Sequence, residues 1–471
     1  MKLILISILL PFLFLCHAFA QFTAPCGTIT TDYTRIKNLS VDREERTGIN
    51  SRATTYYVPI KFRVLQNDDG SNYYYANHVF DLLCELNEQF LPLSIKFYIH
   101  GEIDFIANSI YNIHDINGGM DMMNEYNEYG VVNTYIVSDP SGYCGYAWYP
   151  GTGPAGGGVV LGKNCSGPGN STFAHELGHY FSLPHTFDGW DFDPEFVDGS
   201  NCASAGDYFC DTPADYLDYR WNCPYSGSFV DSNGDAYDPD GTYFMSYSIE
   251  PCGNKFSLEQ ESAIIYSLNY DYDGQLINHP VPSVFEVQDI SVLQQPENNS
   301  TEIGQGQVFN WEPVQGASHY QFVLHRKNVS SFLRTDIIIQ DTFYTVTGLT
   351  GNTDYEWRVK AFHPNSTCAP FSDKFYFKTA VDVGLQDLTA GIEIIELFPN
   401  PVKSGEIINF KINAPVITVE LMDLYGKKLK YSFYEEVNTQ NQLQLPELKS
   451  GIYLLKFSTK DQSVYKKLVV Q

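Results

Sequence analysis

The sequence predicts a multidomain chain: an α/β lobe with α+β character, followed by two all-β sandwich modules. Three observations point there. The length of 471 residues corresponds to about three domains at roughly 100–200 residues each. Between residues 55 and 182, apolar strands alternate with helical stretches, the pattern of an α/β layer. Beyond residue 285 the pattern becomes short alternating strands at regular spacing, broken by Gly, Pro and Asn. Composition narrows the function. Apolar residues make up 43% of the chain, enough for real cores, and 29 basic residues face 56 acidic ones, a net charge of −27. That balance excludes a nucleic-acid binder, which needs a basic footprint, and a polybasic membrane anchor. No apolar run after residue 20 is long enough to cross a bilayer, so no transmembrane segment is expected.

Residues 1–20 combine Lys2, an apolar run and the small-x-small site Ala18-Phe19-Ala20. This is the form of a secretory signal peptide. Residues 21–54 are polar and read as a pro-segment, with Arg43, Arg46 and Arg52 as points of proteolytic access. Export permits disulfides. Nine cysteines follow the signal, and seven of them lie between Cys84 and Cys252. The expected pairs are Cys144 with Cys165, Cys202 with Cys210, and Cys223 with Cys252, although sequence alone leaves connectivity open. Cys84, in the amphipathic stretch 76–90, is expected to be a buried apolar thiol.

Residues 55–277 form the first domain. An alternating strand at 57–64 precedes the helix at 76–90. Strands follow at 94–99 and 133–137, and 157–162 is expected to be an edge strand. A helix at 171–182 carries the sequence HELGHYFSLPH from His175 to His185. His175 and His179 are one helical turn apart on one face, so both imidazoles can hold one metal ion. Glu176 lies near that face, placed to take a proton from a zinc-activated water. His185 can join only if the chain turns, and Pro184 is consistent with the helix ending there. Three protein ligands and an open fourth position describe catalytic Zn2+. Downstream, Asp231, Asn233, Asp235 and Asp238 surround a Gly turn with oxygen ligands of the kind Ca2+ prefers. Asp188, Asp191, Asp193 and Asp198 form a second acidic stretch, expected to be solvated.

These motifs together resemble a known family. HELGHYFSLPHTF, then Cys210-Asp211-Thr212-Pro213, then Met245-Ser246-Tyr247 are similar to the pappalysin family of metzincin metalloproteases, to which ulilysin belongs. The resemblance implies an α/β metzincin fold and a zinc endopeptidase acting on proteins or peptides. It assigns zinc to His175, His179 and His185, the general base to Glu176, a Met-turn under the metal to Met245, and a metal or oxyanion contact to Tyr247. It also implies structural calcium, a preference for basic residues after the scissile bond, and a leader cysteine able to cap the zinc, which points to Cys26. One departure is Ser182, where the family has Gly at a left-handed turn.

Residues 285–380, with Trp311 and the run from Leu349 to Val359, resemble a fibronectin type III domain, with Tyr355 as its corner tyrosine. Residues 391–471 carry ten Lys against nine Asp plus Glu, while the rest of the mature chain has 18 basic against 47 acidic residues. This stretch contains Leu397–Pro401, Val419–Lys427, Leu448–Leu455 and the terminal 466–470. In that order they resemble the type A sorting domain of the Bacteroidetes type IX secretion system. The resemblance implies export by that machinery to the cell surface or medium. The expectation is thus a latent secreted zinc endopeptidase. The alternative is an inert surface adhesion protein using its sandwiches, against which stands the presence of Glu176 and all three His.

Overall fold

The computed structural model describes residues 24–28, 55–272, 274–280, 287, 289–304, 306–327, 333–380, 394–412, 418–423, 428–433, 440–458 and 463–471. The expected signal peptide at 1–20 and most of the expected pro-segment at 21–54 lie outside the described residues.

The first lobe is built on one twisted sheet. Its strands are β1 (Ala24–Cys26), β2 (Tyr56–Gln66), β3 (Ile95–Ile99), β4 (Asp104–Ala107), β5 (Val132–Val137), β6 (Tyr143–Ala147) and β7 (Val159–Gly162). The order is β1–β6–β7–β5–β2–β3, with β4 also beside β2. The central strand β2 is buried from Val58 to Gln66, as expected of a parallel strand covered on both faces. Its two cations are neutralised at the sheet's rim: Lys61 by Asp104 at 3.0 Å and Arg63 by Glu128 at 2.8 Å. Helix α1 (Ala76–Gln89) buries Val79, Leu83 and Leu86 in the lobe's core. Helix α2 is Ile116–Tyr126, α3 is Thr172–Tyr180 and α4 is Leu258–Tyr266. All nine residues of α3 are buried.

One strand assignment needs correction. The stretch at 157–162 is not an edge: β7 lies between β6 and β5, and all its residues are buried. Outside β7 comes β6, and strand β1 adds to it in parallel as the outermost strand on that side. With Cys144 and Gly145 in the middle, β6 carries little apolar signal. Gly145 is there for space. A Cβ on it would come within 3.0 Å of Glu176 Cγ and 2.9 Å of Val160 O.

The second module stacks two sheets. One holds β8 (Leu293–Gln295), β10 (Gln307–Trp311) and β13 (Phe343–Val346). The other orders β9 (Ser300–Ile303), β15 (Phe375–Thr379), β14 (Asp354–Phe362), β11 (His319–Arg326) and β12 (Leu333–Ile339). Phe309, Phe322, Trp311 and Trp357 fill the space between them. The Tyr355 hydroxyl accepts from Thr350 N at 3.0 Å. The third module pairs a sheet of β16 (Ile394–Phe398), β17 (Ile407–Ile412) and β20 (Gln440–Gln444) with one of β18 (Thr418–Met422), β19 (Lys428–Phe433), β21 (Gly451–Ser458) and β22 (Ser463–Val470). Its core includes Val419, Leu421, Leu455 and Phe457. Among the described residues no helix is long and apolar enough to cross a membrane.

The disulfides are Cys144–Cys165, Cys202–Cys210, Cys223–Cys252 and Cys84–Cys368. The last overturns the expectation of a buried apolar thiol at Cys84. Cys84 is half-buried on α1 and joins the first lobe to the second module. Around it, Lys360 meets Asp81 at 2.6 Å and Phe80 meets Phe362 at 4.7 Å between ring centres. Phe362 is fully buried and belongs to the first lobe's core. A pairing across 284 residues leaves no local sequence trace.

Candidate metal centre and cleft

Helix α3 ends in a turn that builds the centre. Leu183 N donates to Gly178 O and Ser182 N to His179 O, both at 2.9 Å. This is the bond pair of a Schellman stop, which needs a left-handed residue after the cap. Ser182 fills that place with φ 77°. Its hydroxyl donates to Asp271 Oδ2 at 2.9 Å and lies 3.2 Å from Ser267 Oγ, which offsets part of the backbone strain. The turn carries His185 back to the helix. His179 Nε2 then lies 3.2 Å from His175 Nε2 and 3.1 Å from His185 Nε2.

The far ring nitrogens fix the tautomers. His175 Nδ1 faces Phe244 O at 2.6 Å and His179 Nδ1 faces Leu183 O at 2.8 Å. A carbonyl only accepts, so each Nδ1 carries the proton and each Nε2 a lone pair. His185 Nδ1 faces Asp188 Oδ1 at 3.4 Å, and Asp188 Oδ2 accepts from His185 N at 3.0 Å. Asp188 is thus a half-buried partner of a ligand and not the solvated residue expected. Burial, with His185 nearby, holds His175 down to about 3, and burial holds His179 well below the usual imidazole range. Three imidazole Nε2 atoms therefore converge, those of His175 and His179 as lone pairs, an arrangement that suits a cation. Tetrahedral zinc with bonds of about 2.0–2.1 Å spaces its nitrogens by about 3.3 Å, close to the spacing found here. The donor set fits zinc.

Glu176 is fully buried on the same helix, and burial pushes its carboxyl up to about 8. Its Oε2 accepts from Cys26 Sγ at 3.5 Å and Thr28 Oγ1 at 3.3 Å. Cys26 is a free, buried thiol. It stands with His175, His179 and His185 in one group whose donor atoms lie within 4.8 Å of one another. The leader holds it there through β1: Ala24 opposes Tyr143, Cys26 opposes Gly145, and Gly27 N donates to Gly145 O at 2.9 Å. Burial, then the Glu176 charge, pushes the thiol well above its ordinary range.

Met245 and Tyr247 complete the surroundings. Met245 is fully buried against α3, where a Cβ on Gly178 would sit 2.3 Å from its sulfur. The Tyr247 ring stands 4.8 Å from His185 and its hydroxyl donates to Cys26 O at 3.4 Å. Beside the centre a cleft is lined by Pro25, Thr172, His175, Arg220, Ser248 and Glu250 among others. Glu250 Oε1 accepts from Ser171 N and Ser171 Oγ, while Oε2 is buried with no hydrogen-bond partner among the described residues. Sequence reasoning missed Glu250, because nothing in its neighbourhood but its distance from Met245 marks it.

The proposed calcium residues are not gathered into one ligand set. Asp231 uses its carboxylate on the backbone amides of Val197, Asn233 and Asp235, and Asn233, Asp235 and Asp238 are exposed. Buried acids lie elsewhere. Glu195 and Asp207 are 5% and 1% exposed. Burial pushes Glu195 up to about 8, and burial with Glu195 nearby raises Asp207 well above the carboxylate range. Glu195 Oε2 and Asp211 Oδ1 have no hydrogen-bond partner among the described residues.

The chain is similar to known metallopeptidases and to a sorting domain. Residues 107–186 match the family model "Metallo-peptidase family M12B Reprolysin-like", and residues 396–471 match "Secretion system C-terminal sorting domain". An extracellular metalloprotease of Colletotrichum graminicola is 29% identical over 236 residues, 46% of this chain and 78% of its own length. One from Neurospora crassa is 26% identical over 230 residues, 46% of this chain and 75% of its own. Among solved structures, a promirolysin mutant from Tannerella forsythia aligns over 54% of this chain and 97% of its own, with 17% identity and a TM-score of 0.39.

Proposed function

We propose that this chain, a secreted zinc metalloendopeptidase with a type IX sorting domain, is made latent by its own leader and cuts next to basic residues. The convergence of three Nε2 atoms beside Glu176 carries the catalytic reading. His175, His179 and His185 would hold the ion. When bound, zinc supplies Lewis acidity toward the attacking water and the scissile carbonyl. Glu176 takes the water's proton on its carboxylate and returns it to the leaving amine. Its burial keeps the carboxyl's affinity for that proton high. Met245 fixes α3 from below through the gap that Gly178 leaves. Tyr247, whose hydroxyl donates to Cys26 O, would donate to the substrate's carbonyl oxygen once the leader is gone.

The leader supports latency in two ways. Cys26 takes the place next to the three imidazoles where substrate must come. Strand β1 occupies the edge of β6, the edge an extended peptide would otherwise join. Cleavage in the pro-segment, at Arg52 for example, would release both. Glu250 supports the substrate class: a buried carboxylate oxygen without a donor fits a Lys or Arg side chain entering the cleft. The proposed calcium belongs more naturally near Glu195 and Asp211, whose Oε2 and Oδ1 have no hydrogen-bond partner among the described residues, than at the Asp231 turn. A rise in Tm with calcium that Glu195→Gln abolishes supports this, and a calcium effect lost only in Asp231→Asn would move the ion back.

The test is casein cleavage by the full chain after the leader is nicked, beside Glu176→Ala, with and without a zinc chelator. Activity lost in both arms supports the reading. A nicked chain that holds one zinc per molecule but cuts nothing favours the adhesion alternative. Latency is read separately: Cys26→Ala should give activity before nicking, and an equally silent precursor defeats that part.

A further inference from the structure

The cleft beside the metal centre is lined by a guanidinium, that of Arg220. Arg220 is half-buried. Its guanidinium donates to Ser248 O at 3.4 Å and to Cys144 Sγ at 3.8 Å. Both contacts are long and both acceptors are neutral, Cys144 being bonded to Cys165. Among the described residues no carboxylate lies within ion-pair distance of it. Yet the chain carries 56 acidic residues, and a half-desolvated guanidinium normally takes a carboxylate partner. Its position is also specific. Ser248 follows Met245 in the loop under the centre, and Cys144 is on strand β6, so Arg220 bridges the two walls between which a peptide would run. Pro25 of the leader lines the same cleft beside it.

We infer that Arg220 is a specificity-determining residue that recognises a carboxylate on the substrate, within a few residues of the scissile bond. The inference rests on the peptidase reading above. Arg presents a rigid fork of donors that a carboxylate can accept in pairs. That carboxylate could be an Asp or Glu side chain, or the free end of a peptide. The cleft then offers a substrate two opposite charges, Glu250 for a base and Arg220 for an acid. Cleavage would favour sites where both signs occur close together.

The experiment uses the full chain with its leader cut, and quenched fluorescent peptides with one central Lys site. Asp is placed in turn at each of three positions on either side of the bond, beside the matching Asn peptide. One further peptide ends two residues beyond the bond as a free acid, beside its amide. One position should favour Asp over Asn by about tenfold or more in kcat/KM, the scale of a charge-assisted pair. Arg220→Gln should bring that ratio to near one, and Arg220→Lys should keep part of it. Preference for the free acid alone identifies the peptide end as the source. Flat ratios in the wild type overturn the inference, as does an Arg220→Gln variant that slows every peptide alike, since Arg220 would then only support the wall. A chain that cuts casein with flat ratios defeats Arg220 alone. A chain that binds zinc and cuts neither casein nor any peptide defeats the peptidase reading, and Arg220's role with it.

Discussion

Two regions of this molecule use full burial for opposite ends. On α3, His179 and Glu176 are both fully buried. In the second module so are Phe309 and Phe322. Removing apolar rings from water stabilises the sandwich by about 1.5–3 kcal/mol each. Removing imidazoles and a carboxyl from water costs free energy unless something compensates. At the metal centre the compensation comes from outside α3: a cation would answer the converging Nε2 atoms, and Cys26 with Thr28 donate to Glu176. The lobe's own stability must therefore come from elsewhere, from β2, α1 and the aromatic groups around them. The comparison teaches that the two regions should answer substitution differently, one in rate and the other in melting temperature.

The largest separation is expected at Glu176. Glu176→Gln keeps the shape and removes the base, so kcat/KM on casein-derived peptides should fall by about 100- to 10,000-fold. Its melting temperature should not fall, because the amide keeps the shape of the buried carboxyl and its oxygen can still accept from Cys26 and Thr28. A variant that melts early would show that Glu176 holds the fold, and would break the contrast. Chelation should act on both quantities: activity is lost and Tm drops, with both restored by zinc, since the bound state alone is stabilised by a ligand.

Next in size is the sandwich core. Phe309→Ala should cost about 3–5 kcal/mol, read by urea denaturation of the second module. At a temperature where both modules remain folded, kcat/KM should not move. A drop in rate would mean that the module reaches the cleft, and the division drawn above would fail. Between the two regions stands Cys84–Cys368. Removing it as Cys84→Ser with Cys368→Ser should cost about 2–4 kcal/mol. That loss should appear in the first lobe as well as the second, because Phe362 completes the lobe's core. For the same reason a fragment ending at residue 277 should melt below the full chain.

What could be read in advance follows from range. The spacing of His175, His179 and His185 is local, and a helix plus one turn is enough to bring them together. Strands such as β2, β3 and β5 carry local apolar runs and were legible for the same reason. Pairings across the chain were not. Cys84 meets Cys368 over 284 residues, and no helical or strand period encodes that. Strand β6 was hidden because Gly145 must be bare to admit Glu176, so the residue that makes the site also weakens the strand's signal. Asp188 read as one of several surface acids, and only the turn at Ser182 brings it under His185. The type of loop ligand that suggested calcium at 231–240 is equally the composition of a tight turn closed by Asp231 on its own backbone.

The smallest expected effect lies at Ser182, and it tests how the two regions are joined to their local chemistry. A left-handed φ of 77° costs a non-glycine residue about 1 kcal/mol. The hydroxyl returns a hydrogen bond to Asp271, with a net worth of about 1 kcal/mol when the acceptor is a carboxylate at the lobe's margin. These terms oppose each other. Ser182→Gly gives up the hydrogen bond and the strain together, so stability should change by less than about 0.5 kcal/mol. Ser182→Ala gives up the hydrogen bond and keeps the strain, so it should lose about 1 kcal/mol. The order of the two variants in urea denaturation, Gly above Ala, is the decisive reading. If Ala matches Gly, the hydroxyl contributes nothing and the turn is held by the Leu183 and Ser182 backbone bonds alone. If both fall by several kcal/mol, the link to Asp271 holds the end of α3 in place, and zinc affinity should fall with it because His185 depends on that turn.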